Sequence, residues 1–513
     1  MNRGANTKTE PSPTTSVTRM TKDATVHGRS PASFWGLALF AAILCLSPFV
    51  LISFPPATDL PQHLGQIYLL DVTLEGNTDA FSVNWYAPNN LIYLLLAANS
   101  YLIPPPLSGK MTMLILVLLW TGAVFVLSRD RNRAAENAVL AVMLTYNLSL
   151  YWGFLNFLIG WPFFVLWLSQ SLKPMNKRRW LNLLLLSVLL YASHALWFVI
   201  GSVWLFIRVI QQRDWRHILH RMSPVLPIGL VAIFWYTHLS SAREAAGFDT
   251  APYWFKAPYA RLAPDYLVDS MFGGIKGMLE PLASLAILGW VLIALYTNRG
   301  HLKERIDTPL VTCALMFVAI ALFAPDRYMN TIYFAQRWFP CAIILLMLAL
   351  PRPVAKMHLT RALVLGVLLL FSVQTARSWY LFQRRELSGL RESLNVLPQN
   401  QRVLGLEFVK TSAYLKGRPF LQVFAYAQVF KGGDLNFSFA EHSSGIVSYK
   451  NPRRKDWTYG LVWSSEKVAL DDFQHFDYVL VNGDVALHTR MSTLQTINPV
   501  SATGRWYLYQ VLR

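Results

Sequence analysis

Long apolar stretches almost free of ionisable residues recur along this chain, and they decide which solvent it can fold in. The clearest runs are Phe34–Phe54, Met111–Leu127, Ala134–Leu150, Phe154–Leu172, Leu181–Ile210, Val225–His238, Leu282–Tyr296, Leu310–Ala324, Cys341–Leu350 and Ala362–Ala376. Many approach the ~20 residues a helix needs to cross a bilayer, and tilt or kinks accommodate the shorter ones. The Leu181–Ile210 run is too long for one span, and Ser193–His194 near its middle predict a helical hairpin turning there. Only 14% of the residues are charged and 54% are hydrophobic, whereas about a quarter are charged in an average soluble protein. That balance excludes a disordered chain, a fibrous repeat and an ordinary cytosolic enzyme.

The net charge of +18 would by itself suit a nucleic-acid binder, so the placement of the charges matters. Basic residues gather in short segments between the runs. These are the N-terminal tail (Arg3, Lys8, Arg19, Lys22, Arg29), Arg129/Arg131/Arg133, Lys173/Lys177/Arg178/Arg179, Arg208/Arg213/Arg216/Arg221, Arg299/Lys303/Arg305 and Arg352/Lys356/Arg361. Together they hold nearly half of the 46 Lys and Arg. Lys and Arg in short loops mark the cytoplasmic side. With every group placed there, the spans alternate consistently after Arg129. Between Pro55 and Gly109 there is no Lys or Arg, so that stretch is expected outside. The basic residues therefore read as topology signals, and no nucleic-acid partner is expected.

Leu91–Ile103 is apolar but short and ends at Pro104–Pro105–Pro106, so it reads as a membrane-surface or re-entrant helix. The expected fold is mainly α: a polytopic helical membrane protein of about 11 spans, with 12 or 13 as the alternative. The N-terminus lies inside and the C-terminus outside. Residues 1–33, rich in Ser, Thr and Pro, read as a disordered cytoplasmic tail, and 34–376 as the membrane domain with external loops 55–109 and 239–280. Residues 377–513 carry charges of both signs and short β-type runs. Arg402–Glu407, Phe476–Val481 and Trp506–Leu512 read as strands, with Asn482–Gly483–Asp484 as a turn. A small extracytoplasmic α/β domain is expected there. Capping a membrane-embedded site is its expected role, although packing alone would also explain it. Cys45, Cys313 and Cys341 all fall in spans and have no metal-ligand spacing.

The sharpest local feature is Pro55–Pro56–Ala57–Thr58–Asp59–Leu60–Pro61–Gln62–His63. It fixes a carboxylate between prolines just beyond the first span. A carboxylate near the lipid boundary loses solvation, so its pKa rises toward a range useful to a general base. The competing reading is a helix N-cap, with proline early in the helix that follows. His63, four residues on, shares a helix face with Asp59 if the helix starts there and would orient a substrate or the carboxylate, while a lone surface histidine is the better-supported reading. His194, at the hairpin turn, and Asn156, in Tyr151–Trp152–Gly153–Phe154–Leu155–Asn156–Phe157, are further candidates for binding a substrate. An interfacial role among aromatics is the more common explanation of both. Arg327 and Arg337 lie in a short external loop, against the positive-inside trend. Their forked donors suit a phosphate, while an Asp326–Arg327 ion pair is the structural alternative.

An opening span followed by a long external loop with an early acid, many further spans and an external C-terminal domain resembles the GT-C superfamily of membrane glycosyltransferases. That superfamily includes protein mannosyltransferases and the aminoarabinose transferase of lipid A. Trp85–Tyr86–Ala87–Pro88–Asn89 and Leu91–Ile92–Tyr93–Leu94–Leu95 look like the end of that loop and the helix after it. Many members carry two adjacent acids; here the neighbour of Asp59 is Thr58, and a divalent metal, though possible, is not indicated, so no cofactor is expected. The resemblance implies an inverting transfer of a sugar from a polyprenyl-phosphate donor to a lipid-linked or cell-envelope glycan acceptor on the external face of a bacterial inner (plasma) membrane. It makes Asp59 the general base, with membrane lipids as surroundings. The rival class is a lipid or polysaccharide transporter or flippase, and a purely structural membrane protein is the third. Coupled carriers place ionisable residues near the bilayer midplane, whereas here they cluster at span ends.

Overall fold

The computed structural model describes residues 31–213, 215–245, 249–329, 331–442 and 445–513. The expected N-terminal tail lies outside them, save that the first helix already begins at Pro31. Helix α1 (Pro31–Leu46) is followed by α2 (Leu60–Leu74), α3 (Asn90–Leu102) and α4 (Leu107–Asp130). Many large apolar side chains stay exposed on the bundle, among them Leu39 and Ile43 on α1, Phe234, Leu285, Leu292 and Leu370. Such a surface fits a hydrocarbon solvent, because a water-soluble protein rarely exposes apolar patches of that extent.

Among the described residues, five helices are long and apolar enough to cross a membrane: Ala32–Phe49, Leu107–Asp130, Ala195–Gln212, Leu279–Thr297 and Met357–Glu386. Two bent pairs, Trp215–Met222 with Leu226–Ser241 and Arg299–Arg305 with Thr308–Phe323, raise the number to seven. Helix length therefore does not establish the expected eleven. One reason is local. The run Ala134–Leu150 is interrupted at Asn147, whose side chain accepts from the amides of Ser149 and Leu150 and starts a new helix. Further on, Gly153 adopts φ +77° and ends that helix. The long run 181–210 does turn where expected. Lys177–Ser193 and Ala195–Gln212 meet at His194, whose ring accepts from the Leu196 amide at 3.2 Å. Helix α3 is 13 residues long, shorter than a span, and packs on α4.

The C-terminal region holds a five-stranded sheet made of β2 (Arg402–Glu407), β3 (Asp434–Leu435), β5 (Tyr478–Asn482), β6 (Ile497–Thr503) and β7 (Trp506–Val511), in the order β3-β2-β5-β7-β6. The first three strands run parallel, and β7 and β6 are antiparallel. Outside that sheet, β1 (Phe81–Val83) pairs antiparallel with β4 (Val447–Tyr449), joining the segment between α2 and α3 to the C-terminal region. One apolar core runs from the bundle (Leu60, Trp161, Leu345) into that region (Phe420, Tyr426, Leu508). A second, smaller core covers the far face of the sheet around Leu404, Leu406, Val479 and Tyr509. Charged tethers close the opposite end of the bundle: Arg131 pairs with Asp307 at 2.8 Å and Arg361 with the buried Glu136 at 3.1 Å.

Candidate functional site

Asp59 stands at the N-cap position of α2, with Pro61 in the first turn as the sequence suggests, yet its side chain makes no capping hydrogen bond. Among the described residues, four other acids or amides do cap helices: Asn147, Asn176, Asp307 and Asp484. The N-cap alternative therefore accounts for the backbone and leaves the carboxylate without a structural task. The turn after Asn147 holds the acid in place. The amides of Thr58 and Asp59 donate to the carbonyls of Tyr151 and Trp152 at 2.9 and 3.0 Å. Gly153 permits this approach, since a Cβ there would lie 2.9 Å from the Asp59 nitrogen. Gly153→Ala would strain a left-handed residue and push the acid loop away. It is expected to cost about 1–3 kcal/mol and most of the activity, as read by melting temperature and turnover.

Around this acid the chain gathers His63, Tyr93, Asn156, His194 and Arg337. The His63 ring lies 3.0 Å from the Tyr93 hydroxyl through Nδ1 and 3.1 Å from the Gly153 carbonyl through Nε2. A carbonyl only accepts, so Nε2 carries the proton and Nδ1 accepts from Tyr93. Burial lowers the His63 pKa to about 4, against a smaller upward pull from the Gly153 carbonyl, and the ring is neutral at physiological pH. Asn156 hydrogen-bonds the Tyr93 hydroxyl in turn. His194 packs edge-on against Phe157 at 6.0 Å. Burial, then the charge of Arg337, bring its pKa to about 3.

The guanidinium of Arg337 is buried over the rings of Phe154 and Phe157, at 4.5 and 5.2 Å from their centroids. It donates to the carbonyls of Tyr333 and Ile332. Among the described residues it makes no ion pair within 4.0 Å, although the charge of Asp59 acts on it. Burial lowers its pKa to about 9, so it stays a cation. Asp59 keeps part of its surface open, but protein surrounds the carboxyl closely. Burial raises its pKa to about 8, and Arg337 pulls in the opposite direction. The result is a carboxyl that titrates near neutral pH, facing a fixed cation across a neutral, aromatic-walled site.

Arg327 lies apart from this group. It pairs with Asp249 at 2.6 Å and stacks on Tyr253 at 4.4 Å. The expected alternative of an Asp326–Arg327 pair is also corrected. Asp326 pairs with Arg261 at 2.8 Å, both fully enclosed, and accepts from Gln336 at 2.9 Å and from the amides of Phe255 and Lys256. Gln336 precedes Arg337, so this network sets the arginine's position from behind. Asp326→Ala strands a buried guanidinium and is expected to cost about 3–5 kcal/mol, seen as a lower melting temperature in detergent. Tyr93 was not singled out from the sequence. Its apolar helical run also carries Asn99, Ser100 and Tyr101, so residue type alone does not mark it. Among the described residues no three His, Cys, Asp or Glu side chains cluster as a metal ligand set.

No protein-family model and no curated protein matches the sequence. Solved structures do resemble the fold. The crystal structure of ArnT from Cupriavidus metallidurans in the apo state is similar over 93% of this chain and 98% of that one, with a TM-score of 0.52 at 11% identity. The same protein bound to undecaprenyl phosphate is similar over 93% and 97%, with a TM-score of 0.51 at 10% identity. The chain is a polytopic helical membrane protein with a β-containing C-terminal domain and an ArnT-like fold.

Proposed function

We propose that the protein is a membrane glycosyltransferase that moves a sugar from a polyprenyl-phosphate donor to a hydroxyl acceptor, with inversion at the anomeric carbon. One observation carries the reading: a carboxyl without a capping role, titrating near neutral pH, faces a buried arginine within a GT-C-like fold. In this reaction the ionised Asp59 takes the proton of the acceptor hydroxyl as its oxygen attacks the anomeric carbon. The bond from that carbon to the phosphate oxygen breaks, and its electron pair leaves with the polyprenyl phosphate. Arg337 meets the charge growing on that oxygen. Its aromatic seat and two carbonyl partners hold it in position before the charge develops. His63, kept neutral, fixes the Tyr93 hydroxyl, while Asn156 and His194 offer neutral donors and acceptors to sugar hydroxyls. The apolar surface of the bundle suits the prenyl chain, and ArnT's structure with undecaprenyl phosphate supports a donor of that class.

The acceptor is a lipid-linked or cell-envelope glycan on the external face, where the Lys/Arg-free loop carrying Asp59 is placed by the positive-inside rule. The reading is tested with purified protein and a panel of polyprenyl-phosphate sugars, following release of polyprenyl phosphate by mass spectrometry. Sugar transfer by the wild type supports it. Lipid flipping in proteoliposomes without any transfer sinks it in favour of a transporter.

A further inference from the structure

At the end of the bundle away from Asp59, three chain segments bring cations to one cavity that opens to the surface. The helix Gly160–Ser171 ends beside it, and so does Ala195–Gln212, which starts after His194 in the candidate site. The second helix has 18 residues and is about 27 Å long. The cavity therefore lies close to one hydrocarbon thickness (~30 Å) from that site. It has a volume of about 370 Å³ and is lined by Leu172, Lys173, Pro174, Gln212, Arg213 and Arg221. That volume is in the usual range of ligand pockets.

The charge around the cavity is one-sided. From 208 to 221 the sequence carries four arginines against one acid, Asp214. Lys173 pairs with Asp130 at 3.0 Å and donates to the Ser169 hydroxyl at 3.3 Å, which leaves its ammonium one further donor. Arg213 is exposed and has no acid partner among the described residues. Arg208, one turn before Gln212, lies within the field of both Arg221 and Arg131. A helix C-terminus favours a nearby cation, but that preference does not make several converge on one opening, where they repel. Arg213 also ends its helix in the left-handed region at φ +52°, a conformation that glycine takes without strain. The arginine costs the fold something there and sets a guanidinium on the cavity wall.

The segment Trp215–Met222 adds an apolar side. Trp215, Ile218, Leu219 and Met222 recur at helical spacing, while Arg216, His217, His220 and Arg221 fall on the other side. The segment is bent by 65° from the helix Leu226–Ser241, and Trp215 and Leu219 are exposed. A short amphipathic segment set across the next span, with Trp on its apolar edge, suits the headgroup layer of a bilayer. What fits the whole is an anion with an apolar tail. A phosphate ester meets Arg213, Arg221 and Lys173, and hydrocarbon runs beside Trp215 and Leu219. Basic pockets between membrane helices on the cytoplasmic side, where the positive-inside rule puts this end, take such head groups.

We infer that Lys173, Arg213 and Arg221 form a binding site for the phosphate headgroup of an anionic membrane lipid, on the membrane face opposite the Asp59 site. The inference goes beyond the glycosyltransferase reading and stands without it. The test titrates phosphatidylglycerol onto the detergent-solubilised full chain and follows bound lipid by native mass spectrometry, with phosphatidylcholine as the zwitterionic control. Phosphatidylglycerol is expected to bind the wild type about tenfold more tightly than phosphatidylcholine. Arg213→Gly is expected to weaken it about fivefold, and Lys173→Gln combined with Arg213→Gly about 25-fold. Without added lipid, Arg213→Gly should melt no lower than the wild type, because glycine relieves the left-handed backbone. Lys356 is exposed in the loop after Ala349, whose carbonyl accepts from Arg133 at the same end. Lys356→Gln should leave binding unchanged, which separates a site from diffuse surface charge. Equal binding of the two lipids, an equal loss in Lys356→Gln, or full binding in the double variant overturns the site. Inorganic phosphate that raises the melting temperature as far as phosphatidylglycerol, through the same residues, overturns the lipid as the source of the phosphate.

Discussion

Asp59→Asn is expected to lower sugar transfer by about 10²–10⁴-fold while leaving the protein folded, because the side chain caps nothing and the amide keeps its volume. The pH profile gives a second readout. Only the ionised carboxyl accepts a proton, and its pKa is raised to about 8. The wild-type rate should therefore climb about tenfold per pH unit below that value and level off above it. Stability runs the other way. Between the ordinary aspartate pKa of about 4 and the folded value, the folded chain holds a proton that the unfolded chain has lost, so stability falls as pH rises through that window. Asp59→Asn should flatten both dependences together. Full activity in the variant, or a rate independent of pH, would remove Asp59 as the base.

Arg337→Ala is expected to cost about 10²–10³-fold in turnover, the usual loss on removing one fixed donor from a developing anion. Lys in its place should recover little. An ammonium carries the charge but cannot keep the fork to the Tyr333 and Ile332 carbonyls while lying flat between Phe154 and Phe157. The alanine variant should also move the inflection of the pH profile upward, since Arg337 pulls the Asp59 pKa down. A purely structural arginine would lower the melting temperature without shifting that inflection. Titrating initial rates of polyprenyl-phosphate release against pH separates the two.

The strands Arg402–Glu407 and Trp506–Val511 were legible because each is a short, mostly apolar run, the second rich in aromatics, bounded by polar or turn residues. The hairpin at His194 was legible because a polar pair in a long apolar run has few other places to sit. The span number was less so, since Asn147 breaks an apolar run with one side chain whose effect depends on where its oxygen points. Asp59, His63, Asn156, His194 and Arg337 were each marked by residue type against background, and the fold gathers them. What the sequence left open was which arginine joins them. Arg327 and Arg337 sit in the same loop with similar aromatic neighbours. Their separation depends on Asp326 choosing Arg261, 65 residues away, as its partner. No local pattern encodes that choice.

Helix α2 has a second polar edge. Gln62 bonds Gln422, the Phe437 carbonyl and the Phe439 amide, Gln66 accepts from Val447, and β1 zips to β4. Every one of these partners is made more than 350 residues after the acid itself. Domains fold from the N-terminus as synthesis proceeds, so the Tyr151–Gly153 turn receives the Asp59 backbone early, while this second edge of α2 waits for the last part of the chain. The nascent chain thus enters the membrane with α2 held on one side only. A ribosome that stops before the last hundred residues leaves a membrane-anchored product in which the Gln62 and Gln66 amides have none of these partners.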